Sequence, residues 1–378
     1  MQEPPTHQPR TAGRFAPLDG LRGIAITMVF WYHVIIPKLP LGHRHLLGWL
    51  RAGTNLTWSG VDLFFVLSGF LIGGILIDNR DSPNLTRVFY ARRATRILPL
   101  YYVTLALIWF VLIPHLPGAY SILPGWVYAL FLSNVAVGLA QSWDWISLSL
   151  TWSLAVEEQF YLSAPWVIRA VRPERIPWLA AGIALAAELF RVLAVMFLPS
   201  RHQFILIVDT PFRMDTLALG ILAAWVVRSA RGAPFRSWLG RNWKACMAAG
   251  AVLFLGLDAL MPTDGSPVLA VAGYGFLAAF YALVVLVVFE VRPAGLSRLL
   301  GSAWLSSVGR YSYFMYLWHA TISVAVFWVL AKPDFVLDSA YGAAVALVAF
   351  AATWGAAWVS WRWFEGPVVR WGHKLSYR

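Results

Sequence analysis

The sequence predicts an all-α protein that crosses a membrane many times, and three observations carry that reading. Apolar residues make up 59% of the chain and charged residues only 13%, against roughly 25% charged in a soluble domain. The apolar residues come in repeated blocks of about 20, the length that takes a helix across a hydrocarbon core. The 21 Trp and 14 Tyr supply the amphipathic rings that gather where a bilayer meets water.

The net charge of +12 would raise nucleic-acid binding in a soluble chain. Here Lys and Arg sit mainly in short loops between apolar blocks, so the retention of positive charge on the cytoplasmic side explains them. No nucleic-acid partner is expected. Cys246 is the only cysteine, which excludes a disulfide framework and a redox pair. It reads as a small apolar filler rather than an acyl-carrying thiol. No metal is expected.

Residues 1–14 are polar and Pro-rich and read as a disordered cytoplasmic N-terminus. No small-residue cleavage site follows the first apolar run, so that run is expected to be retained. Apolar segments lie at 20–37, 58–77, 97–114, 124–140, 152–168, 178–198, 211–228, 245–261, 268–290, 311–330 and 340–361, eleven in all. Basic residues cluster at Arg80/Arg87/Arg92/Arg93/Arg96, Arg169/Arg172/Arg175, Arg228/Arg231/Arg236/Arg241/Lys244, Arg292/Arg298/Arg310 and the C-terminus. Placing these clusters in the cytoplasm makes every segment after 178 alternate. Between Arg96 and Arg169, however, three segments separate two cytoplasmic ends, so one of them cannot span. Segment 124–140 is short, follows Pro124-Gly125 and runs into the uncharged-to-acidic stretch 138–149. It is expected to be re-entrant, a shape tolerated at membrane depth only inside protein or along a cavity. The expected architecture is thus about ten transmembrane helices plus that short re-entrant segment, with both termini cytoplasmic. A single membrane domain covers 15–370, followed by a basic tail at 371–378, with no room for an appended soluble domain. The outer loop at 38–51, with Lys38, Arg44 and Arg51, runs against the charge rule. It reads either as a face for an anionic substrate or as tolerated charge.

Ionisable groups inside a membrane cost about 2.5–3.5 kcal/mol each on insertion scales, so they are candidates for function. Arg22 and His33 lie eleven residues apart in the first span. Eleven steps of about 100° return to nearly the same helix face, about 16 Å further along. A phosphate-gripping cation and a proton-handling imidazole could then line one path; a snorkelling Arg and a carbonyl-bonded His fit the same spacing. Arg93 and Arg96 are one turn apart at the mouth of the third span, suited to bidentate phosphate capture or to ordinary loop charge. Glu157 and Glu158 in TWSLAVEEQFYL point to different faces. Glu157 could order a hydroxyl-bearing acceptor or polarise a base, or pair with an Arg of a neighbouring helix. Supporting candidates are Asp62 and Ser68 in GVDLFFVLSGFLIGG, Arg213 and Asp215 in DTPFRMDTLALG, and Tyr311, Tyr313 and His319 in GRYSYFMYLWHA. Gly60, Gly69, Gly73 and Gly74 read as close helix-packing positions.

Taken in order, these segments resemble the acyltransferase family 3 membrane proteins, which O-acylate carbohydrates and some antibiotics. LDGLRG with Arg22, ten residues and His33 is similar to the family's opening signature. FFVLSGFLI, Arg93–Arg96 followed by Ile97-Leu98-Pro99, WSLAVEEQFY, FRMDTLALG, YSYFMYLWH and WRWFEGPVVR follow in the family's order, over about 15–370. The resemblance implies transfer from cytoplasmic acyl-CoA, usually acetyl-CoA, to a carbohydrate or glycolipid acceptor at the outer side of a bacterial inner membrane. It implies that Arg22, Arg93 and Arg96 bind the phosphates of the acyl-CoA, that His33 acts in transfer, and that Glu157 with Trp152 shapes the acceptor side. Some members carry a fused extracytoplasmic esterase-like domain; with no room for one here, a stand-alone enzyme is expected rather than a two-domain modifier of lipopolysaccharide or peptidoglycan. Acylation of a macrolide or similar glycosylated antibiotic would use the same motifs. A transporter of a glycan or acyl donor is the rival of another class, but no inverted repeat with matching broken helices supports it.

Overall fold

The computed structural model describes residues 15–40, 46–116, 118–198, 202–260, 268–331 and 335–378, and among these no strand occurs. The first 14 residues, the loop residue Arg44 and parts of several other loops lie outside the described residues. Helices form where the apolar blocks lie: α1 (Ala16–Phe30), α2 (Gly60–Asp78), α3 (Leu85–Leu107), α4 (Gly125–Ala129), α5 (Ser133–Ala140), α6 (Thr151–Ala170), α7 (Ile176–Phe197), α8 (Thr210–Arg228), α9 (Ala233–Leu260), α10 (Tyr274–Leu286), α11 (Ser312–Leu330) and α12 (Ala340–Ser360). Shorter helical turns connect them.

Seven continuous helical stretches are long and apolar enough to cross a membrane: Ala16–Lys38, Leu47–Asp78, Leu85–His115, Pro173–Phe197, Leu269–Val291, Ser312–Leu330 and Ala340–Gly372. The protein is therefore a multi-pass membrane protein. α6, α8 and α9 also have the length, at 20, 19 and 28 residues, but are not among those seven. Large side chains such as Phe110, Trp178 and Val329, each 78–79% exposed, cover the outside of the bundle, where lipid rather than water is the natural partner.

Segment 124–140 does not form one helix. α4 and α5 are five and eight residues long, far short of the roughly 20 that a crossing needs. Phe131 between them has φ 55, the left-handed region that ends a helix for a residue with a side chain. Its ring stacks on Tyr101 at 4.4 Å. The chain then turns back around Asp144, whose carboxylate accepts from Ser121, Tyr128 and the Ile122 and Trp145 amides.

α2 is the centre of the bundle, packed against α1, α6, α8 and α10. It is apolar on every side, as a fully surrounded helix must be. Its closest neighbour is α8. A Cβ on Gly69 would strike the Leu217 carbonyl, and one on Gly220 would strike the Val66 carbonyl, so the two backbones touch as the glycine pattern predicts. The C-terminal residues are docked on the bundle rather than loose. Ser82 donates to the Arg378 carbonyl at 2.6 Å and Arg92 to the Leu375 carbonyl at 3.0 Å.

Candidate functional site

α1 does not continue as a regular helix to His33. It gives way after Phe30 to a π-helical turn, Trp31–Ile35, closed by the Ile36 amide on the Trp31 carbonyl. Such wide turns are rare and concentrate at functional sites. The even 100° spacing assumed for the first span therefore does not hold through His33. His33 Nδ1 donates to the Val29 carbonyl at 3.0 Å, which leaves Nε2 as the lone-pair nitrogen. His319 of α11, fully buried, brings its Nε2 to 3.4 Å from His33 Nδ1.

Two cavities and a narrow space between them hold most of the predicted residues. One cavity of about 320 Å³ is lined by His33, Trp152 and Arg213, with Tyr32, Trp58, Trp143, Asp144, Tyr274 and Tyr316. The other, of about 240 Å³, is lined by Arg22, Ser68, Arg93, Arg96, Glu157, Tyr161 and Tyr313. The space between them, of about 50 Å³, shares Arg22, Glu157 and Tyr313 with the second cavity and Val61 and Tyr316 with the first. Arg22 and His33 thus line cavities that are separated by one narrow space with walls common to both.

The arginine cavity is an anion site by its charges. Three guanidinium groups, from α1 and α3, face one lining carboxylate, Glu157. That carboxylate accepts from Ser68 Oγ at 2.5 Å, and Tyr161 donates to the same serine at 3.2 Å. Arg93 lies over Tyr161 at 5.8 Å and Arg96 over Trp361 at 5.0 Å, contacts that hold the planar groups without using up their N–H donors. Arg22 Nε is buried with no hydrogen-bond partner among the described residues, a donor that a bound anion would satisfy.

The histidine cavity is mostly aromatic. Trp152 is braced edge-on by Phe65 at 6.1 Å. Arg213 pairs with Asp62 at 2.5 Å and lies over Tyr274 at 4.4 Å. Tyr316 stands at the junction and is fixed by Ser153 Oγ at 2.5 Å and the Leu150 carbonyl at 3.2 Å.

The remaining predicted residues lie apart from these walls. Asp215 pairs with Arg191 at 2.9 Å, a partnership the sequence reading did not foresee. Tyr311 packs against Trp354 and Trp361. Glu158 is on the same helix as Glu157 but lines neither cavity, and its Oε1 has no partner among the described residues. Glu157 lies on the arginine side, away from Trp152, with which the resemblance had grouped it. Sequence reasoning missed Tyr316, Tyr32, Trp58, Trp143, Asp144 and Tyr274. Tyr316 had one usable signal, its position a single turn before His319.

Fold and site together define a multi-pass membrane protein with an arginine-walled cavity close to a histidine-bearing one. The sequence profile of the acyltransferase-3 family, described as an acyltransferase domain, matches residues 15–363, and the chain belongs to that family. It is 26% identical to the O-acetyltransferase OatA of Staphylococcus aureus (strain NCTC 8325 / PS 47), over 96% of this chain and 58% of that protein. It is 27% identical to the peptidoglycan O-acetyltransferase OatA of Listeria monocytogenes serovar 1/2a, over 95% of this chain and 56% of that protein. The chain spans a little over half the length of these curated relatives. No solved structure matches the chain.

Proposed function

We propose that the chain is an O-acyltransferase that moves an acyl group, most simply acetyl, from acyl-CoA to a hydroxyl of a cell-surface or exported carbohydrate. The observation that carries this reading is the series of neighbouring cavities, sharing wall residues from one to the next, between Arg22, Arg93 and Arg96 and His33. The arginines match the phosphates of the acyl-CoA in charge and geometry. The narrow space past Tyr313 and Tyr316 suits a slender pantetheine arm better than a nucleotide. The aromatic cavity suits a sugar, whose apolar ring faces stack on such side chains while its hydroxyls reach polar groups. The names of the relatives, O-acetyltransferases of which one acts on peptidoglycan, favour an amino-sugar polymer as acceptor.

In this mechanism His33 Nε2 takes the proton of the acceptor hydroxyl as its oxygen attacks the thioester carbonyl. The C–S bond breaks, a C–O bond forms, and the thiolate of CoA leaves with the proton from His33. Direct attack and a short-lived acyl-imidazole balance equally. Ten membrane crossings agree with the seven apolar stretches plus α6, α8 and α9, with both termini and the arginine cavity on the cytoplasmic side of a bacterial inner membrane. His33→Ala is expected to lower acetyl transfer by at least about 10²-fold while the protein still accumulates in the membrane. Release of free CoA from acetyl-CoA by the purified protein reads this out; a near-normal rate in the variant ends the assignment.

A further inference from the structure

The two buried imidazoles are arranged as a directed chain, and their partners fix every proton in it. His319 Nδ1 lies 2.9 Å from the Tyr316 carbonyl and 3.1 Å from the Met315 carbonyl. A carbonyl can only accept, so this nitrogen carries the hydrogen and His319 Nε2 is a bare acceptor. That acceptor lies 3.4 Å from His33 Nδ1, which carries a hydrogen because it also donates to the Val29 carbonyl at 3.0 Å. The rings stand 5.3 Å apart at 49°, and His319 is fully buried, so no water competes for its lone pair.

We infer that His319 is a positioning residue for His33, accepting a second hydrogen bond from His33 Nδ1–H and so holding the Nε2 lone pair toward the aromatic cavity. The inference rests on the reading of His33 as the proton-handling group. Which nitrogen of a histidine is free is set by the hydrogen bond the other one makes. The Val29 bond alone belongs to the helix that carries His33. The His319 bond comes from α11 and is the only one of the two that ties the ring to a neighbouring helix. When His33 Nε2 takes a proton, the new charge is shared along Nδ1–H toward a neutral acceptor.

The test uses the full-length protein in detergent, with acetyl-CoA as probe, and compares His319→Leu, His319→Gln and His33→Ala. Leu removes the acceptor; Gln can present its amide oxygen near the position of Nε2. His319→Leu is expected to lose about 10–100-fold in kcat, the range that loss of the outer partner costs a metal-bound imidazole. KM for acetyl-CoA should stay within about twofold, and His319→Gln should recover most of the rate. Nitrogen-15 NMR of labelled histidines is expected to find His33 protonated at Nδ1 and bare at Nε2 in the unmodified protein. A His33 protonated at Nε2 instead, an unchanged kcat in His319→Leu, or equal losses in Leu and Gln would each overturn the inference. Should His319→Leu not fold, the NMR result and the Gln variant carry the decision. A fully active His33→Ala would remove the reading of His33 itself; an inactive His33→Ala beside a normal His319→Leu would remove only the role of His319.

Discussion

Arg93 and Arg96 act, in the proposed reaction, as anion holders rather than as groups in the chemical step. A hydrogen bond to a charged group contributes about 1.5–3 kcal/mol. Arg93→Ala is therefore expected to raise KM for acetyl-CoA by roughly 10–100-fold while kcat falls by less than about threefold, measured by steady-state CoA release. A loss confined to kcat would contradict that role. Asp209, in the loop just before α8, offers a second measurable property. Burial pushes its carboxyl up to about 7 from the ordinary 3.8. The folded protein then keeps a proton that the unfolded chain releases above 3.8, so stability is greatest below that value and falls as pH rises toward 7. Asp209→Asn has no such proton to lose. It is expected to gain melting temperature relative to the unmodified protein at pH 8 but not at pH 4, checked by thermal unfolding in detergent. Arg93 could be picked out from the sequence as a charge near an apolar span, whereas nothing there singled out Asp209. That Arg93 shares a cavity with Arg22 could not be read there, since 71 residues of chain separate them and side-chain convergence depends on how helices pack.

At the scale of elements, the α2–α8 contact is the most constrained. Both backbones lie where a Cβ would stand, so Gly69→Ala forces the helices apart. Overpacking of this kind costs about 1–3 kcal/mol. Gly256 in α9 has nothing within 4 Å of its missing Cβ, and Gly256→Ala is the matched control. Thermal unfolding of the two variants is expected to show a clear loss for Gly69→Ala and little or none for Gly256→Ala. The close-packing role of this glycine stretch was legible because small residues at membrane depth have few other uses. The π-turn at Trp31–Ile35 was not legible. Nothing in WYHVI marks it, since the five residues carry no glycine or proline to signal a change of helical pitch. The break at 124–140 lies between these cases. Pro124-Gly125 and the charge arithmetic argued against a span, but the left-handed Phe131 that divides it is held by stacking on Tyr101 from another helix.

For the whole molecule, the proposed ten crossings make a direct prediction about sidedness. On a Cys246→Ser background, Tyr120→Cys is expected to react with a membrane-impermeant maleimide in intact cells, and Glu174→Cys only after the membrane is opened. The reverse pattern would turn the arginine cavity to the outside and remove acyl-CoA of the cytoplasm as its ligand. Hydropathy alone accounts for seven of the ten long helical stretches. α6 falls short for the same reason that it matters: Glu157 and Glu158 lower the apolar average of a helix that borders the cavities.

The amino-acid sequence by itself determined that the chain is helical, that it lies in a membrane, which family it belongs to, and that Arg22, His33, Arg93 and Arg96 are the residues to examine. Those conclusions rest on composition, on short local motifs and on their order, all of which are written along the chain. Only the tertiary structure decided that three arginines share one cavity, that Tyr316 stands between it and the aromatic one, and that Asp62 pairs with Arg213 while Asp215 takes Arg191. It also brought His319 to His33 across 286 positions of sequence. The physical reason is common to all four. Each contact depends on the crossing angle, depth and rotation of packed helices, which many side chains set together and which no local spacing records.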